Sequence, residues 1–144
     1  MAVAKDTLFE NVFDVIFNAM NGIADPKARG QKWVFGSFPS SRSDTFPGYP
    51  IIVVSPAEIV EMRTMNFDRS KWRHDIILTV EVYDNQMERL DTLSSTVIKT
   101  LRNYNYRSQK LARFAITGGR SDMVEHEGKK IYYRTFIVGL EHAS

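Results

Sequence analysis

The sequence predicts a single α+β domain, a mostly antiparallel sheet with two helices packed on one face, in the order α-β-β-β-β-α-β-β. Three observations lead there. Stretches 6–22 and 85–103 carry apolar residues at helical spacing. The run from Trp72 to Tyr83 alternates apolar and polar residues like a strand covered on one side. The elements do not alternate regularly between strand and helix, so nothing calls for a parallel sheet. A chain of 144 residues matches one domain with its own core.

Thr7 with Glu10 reads as a capping box, followed by Leu8, Val12, Val15, Ile16 and Ala19 on one helical face. Phe9, Phe13, Phe17 and Met20 form a second apolar row, wider than one sheet face covers. Gly22 ends the helix, and Asp25, Pro26 and Gly30 make a turn-rich connector. Strands are predicted within 31–83: an aromatic one at Lys32 to Phe38, a buried one at Ile51 to Val54, and a loosely alternating one from Glu58 to Phe67. The polar stretch SSRSDTFPG at 40–48 reads as an exposed loop. Asp84 and Asn85 are placed to cap the second helix, whose apolar set is Met87, Leu90, Leu93, Val97, Ile98, Leu101 and Tyr104. Residues 112–142 read as a long hairpin turning at Glu127 and Gly128, with a bulge at Gly118 and Gly119.

Composition narrows the function. Hydrophobic residues make up 43% and charged residues 25%, so the chain is expected to fold rather than stay disordered. No apolar run reaches the roughly 18 residues of a membrane span, and MAVAKDTLFE has no signal-peptide pattern, so no membrane role is expected. Without cysteine there is no disulfide framework, thiolate metal site or cysteine nucleophile, which suits a protein made in a reducing cytoplasm. A net charge of +2 does not by itself demand nucleic acid.

Chemistry-bearing patterns are sparse. GxGxxG, the phosphate-binding GxxxxGKS or GxxxxGKT, HExxH and GxSxG are all missing. His74, His126 and His142 each adjoin a carboxylate, but neighbours on a strand point to opposite faces, so no shared metal site is expected and the histidines read as scattered surface residues, with packing on the sheet the other reading for His74. Glu58, Glu61, Asp68 and Asp75 mark no pocket that would tune an acid–base pair. The chain is expected not to be an enzyme and to need no cofactor. The densest basic run, Arg102, Arg107, Lys110 and Arg113 with Tyr104 and Tyr106 among it, could form a nucleic-acid patch, or it could answer the helix dipole.

The second apolar row of the first helix, and both faces of Lys130 to Leu140, exceed what one covered sheet face can bury. Phe9, Phe13, Phe17, Met20, Tyr132, Phe136 and Val138 are therefore the candidates for self-association, against copies of the same chain.

Three stretches carry a family likeness: FPGYPIIVVSPAE at Phe46 to Glu58, DIILTVEVYDNQMERLDTLSSTVIKTLRNY at Asp75 to Tyr104, and IYYRTFIVGLEH at Ile131 to His142. With the order of elements, they resemble the tail terminator proteins of long-tailed bacteriophages, also called tail completion or tail-to-head joining proteins. The resemblance implies a small α+β subunit of a homohexameric ring in the virion, seated on the last ring of the major tail tube protein. Its opposite surface would meet a head-completion or neck protein, and DNA would only pass through. It implies no catalysis and no cofactor. The first helix and the hairpin would be subunit contacts, and Arg42, Asp44 and Phe46 in the 40–48 loop would reach a neighbour or the tube. The alternatives are another neck or head-tail connector component, or a nucleic-acid-binding adaptor.

Overall fold

The computed structural model describes residues 8–39, 46–64, 72–126 and 128–143. The elements are α1 (Leu8–Asn21), β1 (Val34–Phe35), β2 (Ile51–Val54), β3 (Glu58–Thr64), β4 (Trp72–Asp84), α2 (Met87–Asn103), β5 (Leu111–His126) and β6 (Lys129–Ala143). A 3-10 turn at Tyr106–Gln109 joins α2 to β5. This is the predicted order and class. Thr7 lies outside the described residues, and so does the proposed capping box.

Six strands form one sheet in the order β1-β2-β4-β6-β5, with β3 also on β4. Two strands share one side of β4: β2 pairs with Val80 to Tyr83 and β3 with Trp72 to Ile77. All pairs are antiparallel except β1 with β2, where Val34 matches Ile52. The strand expected over Lys32 to Phe38 contracts to Val34 and Phe35, the residues in register with β2, with Trp33 still accepting the Ile52 N–H at 3.1 Å.

Alternation along β4 puts Ile76, Leu78, Val80 and Val82 on one face, and the register sets Leu140, Val138 and Phe136 of β6 opposite the first three. Cross-strand pairs of this kind make the floor of the core. Leu8, Val12, Val15, Ile16 and Met20 of α1, and Leu90, Leu93, Val97 and Leu101 of α2, bury against it. Each such side chain contributes about 1.5–3 kcal/mol relative to exposure. The hairpin turns through Gly128 at φ 76, a conformation that costs a glycine nothing. Its register shifts between Ile116 and Gly118, where the bulge was expected, and also between Ala112 and Ala115.

Four expectations need correction. Asn85 does not cap α2: the N-cap is Gln86, with no side-chain cap bond. Asp84 instead accepts the Gln86 N–H at 3.1 Å and is gripped through both oxygens by Arg89 at 2.7 Å. Met87 is 45% exposed rather than part of the apolar set. His142 is buried and so is not a surface histidine, while half-buried His74 stands opposite it in the β4–β6 register with ring centroids 6.1 Å apart and packs on the sheet. The second sheet face is also partly covered by the chain itself: Ile51, Val53 and Ile131 are buried there, and Phe38 lies edge-on to Tyr83 at 4.9 Å.

Candidate interaction surface

Beside its buried stripe, α1 keeps a second one. Glu10, Phe13, Asp14, Phe17 and Asn21 recur at steps of three and four, so they share the helix's outer flank. Phe13 and Phe17 stack with centroids 5.4 Å apart and stay half-buried, their inner edges on the core. Two clefts separate this flank from the chain that follows. A cleft of about 310 Å³ is lined by Glu10, Phe13, Gly36, Pro56 and Ala57. A larger one, about 510 Å³, lies among Phe17, Asn21, Asp25 and residues Gly30 to Trp33. Gly36 lets the Phe13 ring approach closely, since a Cβ there would stand 3.3 Å from Phe13 Cζ.

The wall of the larger cleft is tied down by one guanidinium. Arg29 donates from Nε and Nη2 to Asp25 at 2.9 and 3.0 Å, from Nη1 to the Gly48 carbonyl at 3.0 Å and from Nη2 to the Pro50 carbonyl at 2.7 Å. It also stands 5.8 Å from the centre of the Trp33 ring. Burial pushes the Asp25 carboxyl up, but the Arg29 bond, the backbone N–H groups of Lys27 and Arg29, and the Arg29 charge outweigh it and hold the pKa down at about 2. One side chain thus joins the turn after α1 to the segment leading into β2.

The other flank is basic. Arg102, Arg107 and Lys110 are exposed, and Arg113 is 72% exposed with its Nε 3.4 Å from Glu141. Lys110 and Arg113 both adopt left-handed backbone angles, φ 60 and 51, where the 3-10 turn ends and where β5 bulges. The aromatic half of the nucleic-acid reading fails here. Tyr106 is buried, stacks on Phe114 at 4.9 Å and donates its hydroxyl to the Leu101 carbonyl at 2.5 Å. Burial raises its pKa. Tyr104 is half-buried and leans on Tyr106 with centroids 5.0 Å apart. Neither is a free stacking platform for bases.

The other candidates separate cleanly. Met20, Phe136 and Val138 lie within the chain's own core, so they offer nothing to a second copy, which corrects their reading as surface. Tyr132 is half-buried on the edge of that core. Phe46 is half-buried and meets Tyr49 edge-on at 5.5 Å. Arg42 and Asp44 lie outside the described residues, as does the side chain of Phe9. Sequence reasoning missed Met123 and Val124, which are 44% and 43% exposed. They sit where β5 and β6 run on past the end of β4, the last row being Asp84, Tyr132 and Met123. Two adjacent apolar residues in a predicted hairpin arm were the available signal.

Among the described residues no three His, Cys, Asp or Glu side chains are grouped as metal ligands, and no helix is long and apolar enough to cross a membrane.

These features define a small α+β domain with an acidic, aromatic flank beside α1 and a basic flank beside β5. No protein-family model matches the chain, and no curated protein matches it in sequence. Among solved structures it is similar to a chain in the virion of a native gene transfer agent particle, with a TM-score of 0.55 and 12% identity. The likeness covers 92% of this chain and 95% of that one. At that identity what the two share is the fold.

Proposed function

We propose that this chain is a structural protein of a phage-like virion. In this reading it forms a ring with copies of itself, caps the tail tube, ends tube polymerisation and joins the tail to the head or neck. The observation that carries the reading is a fold held in common, along nearly the whole of both chains, with a protein of a virion particle. The stretches at Phe46 to Glu58, Asp75 to Tyr104 and Ile131 to His142 support the terminator role through their family resemblance. Phe13 and Phe17 support self-association, since both keep part of their apolar surface accessible beside two clefts. Its partners would be itself, the tube protein and a neck protein, with DNA only passing through. The role involves no catalytic step, metal or cofactor.

The test is to measure particle mass, and image the protein by negative stain, alone and mixed with the tail tube protein of the same virion. Rings that bind tube ends and halt tube growth are the expected result. A chain that stays single and leaves tubes growing contradicts the reading, and rings that bind only a neck protein would move it to a connector role.

A further inference from the structure

We infer that the α1 flank of one molecule receives the basic flank of a second copy, head to tail. This rests on the reading that the chain assembles with itself, and it names the two surfaces that meet.

Position comes first. The sheet runs from β1 at one edge to β5 at the other. Helix α1 packs on β1 and β2, α2 packs on β4 and β6, and the 3-10 turn packs on β5. Glu10, Phe13, Asp14 and Phe17 therefore sit at the β1 edge, while Arg107, Lys110 and Arg113 sit at the β5 edge. Two different patches on opposite edges cannot pair by a two-fold axis that matches each to itself. They pair heterologously, and such contacts repeat from copy to copy into rings or filaments.

Chemistry comes second. Glu10 and Asp14 are exposed and enter no ion pair among the described residues, and the same holds for Arg102, Arg107 and Lys110. Charges of opposite sign thus stand unmatched on opposite edges. The α1 flank offers more than charge. A carboxylate, a half-buried aromatic ring and an apolar cleft lie together at Glu10, Phe13 and the walls formed by Gly36, Pro56 and Ala57. An arginine or lysine uses all three: the cationic head takes the carboxylate and the ring face, and the methylene stem takes the cleft. A wholly apolar partner would leave the carboxylates desolvated and unpaired.

The experiment uses two double variants of the full chain, Glu10→Lys with Asp14→Lys, and Arg107→Glu with Lys110→Glu. Sedimentation over a concentration series reads assembly, and thermal melting checks that each variant folds. Each variant alone is expected to lose assembly while melting like the wild type. The two mixed in equal amounts are expected to regain it, because each reversed flank then meets a complementary one. High salt should weaken the wild-type assembly. If the wild type assembles and folded variants do so equally well, or if the mixture fails to recover, this contact is wrong while self-assembly stands. If the wild type stays single at every concentration and with tube protein added, self-assembly falls and this contact with it.

Discussion

The two helices lie on the same sheet face and bury similar aliphatic stripes, yet their outer sides differ. Outside its core stripe, α2 presents Glu88, Asp91, Thr92, Ser95, Thr96 and Lys99, an ordinary solvated surface with Asp91 paired to Arg134. On its outer flank α1 instead keeps the half-buried Phe13 and Phe17 beside the exposed Glu10 and Asp14. Amphipathicity assigns the inner side of both helices to the core. Only the residues opposite that side tell a solvated helix from one with a further surface to cover.

The comparison is sharpest where the helices should behave alike. Ile16→Ala in α1 and Leu101→Ala in α2 each remove a fully buried aliphatic side chain, and each should destabilise the fold by about 2–5 kcal/mol. Urea unfolding measures this, and a much cheaper Ile16→Ala would mean α1 is not part of the core.

Next in size is the clamp behind the α1 flank. Arg29→Ala strips donors from Asp25 and from the Gly48 and Pro50 carbonyls, and should cost about 1–3 kcal/mol. It carries a pH signature. Because the Asp25 pKa is depressed from 3.8 to about 2, its contribution is present above the unfolded value and is lost as pH falls through that window. Asp25→Asn should flatten that part of the acid limb. An unchanged pH dependence of unfolding would mean the clamp does not hold in solution.

The smallest effect belongs to the outer side of α2. Thr92→Ala and Thr96→Ala lose only hydroxyl bonds to the helix's own carbonyls at 3.2 and 3.1 Å, and should shift stability by no more than about 0.5 kcal/mol. Assembly should be unaffected, and an assembly defect here would relocate the interface from α1 to α2.

Much of this was legible in the residues. Period-two alternation located β4, and the 3.6-residue period located both helices, because each reports a face that must be buried. The glycines marked the hairpin turn and one bulge. What escaped was set by tertiary contacts. Met20 stands in the second apolar row with Phe13 and Phe17, and only packing decides that it goes inward with Ile16 while they stay half-buried. Asp84 looks like a cap, but the guanidinium five residues on competes for it and wins with two short bonds. Tyr106 looks like a stacking ring beside cations until Phe114, brought back by β5, covers it. The opposite character of the two edges could not be read at all, since Glu10 and Arg107 acquire a spatial relation only from strand order.

The outer stripe of α1 is expected to be an interface rather than loose core. The most direct measurement is thermal melting and sedimentation of one double variant, Phe13→Ser with Phe17→Ser. Its melting point should fall far less than that of Ile16→Ala while the assembled species disappears. A collapse in stability as large as that of Ile16→Ala, or assembly that survives intact, would contradict it.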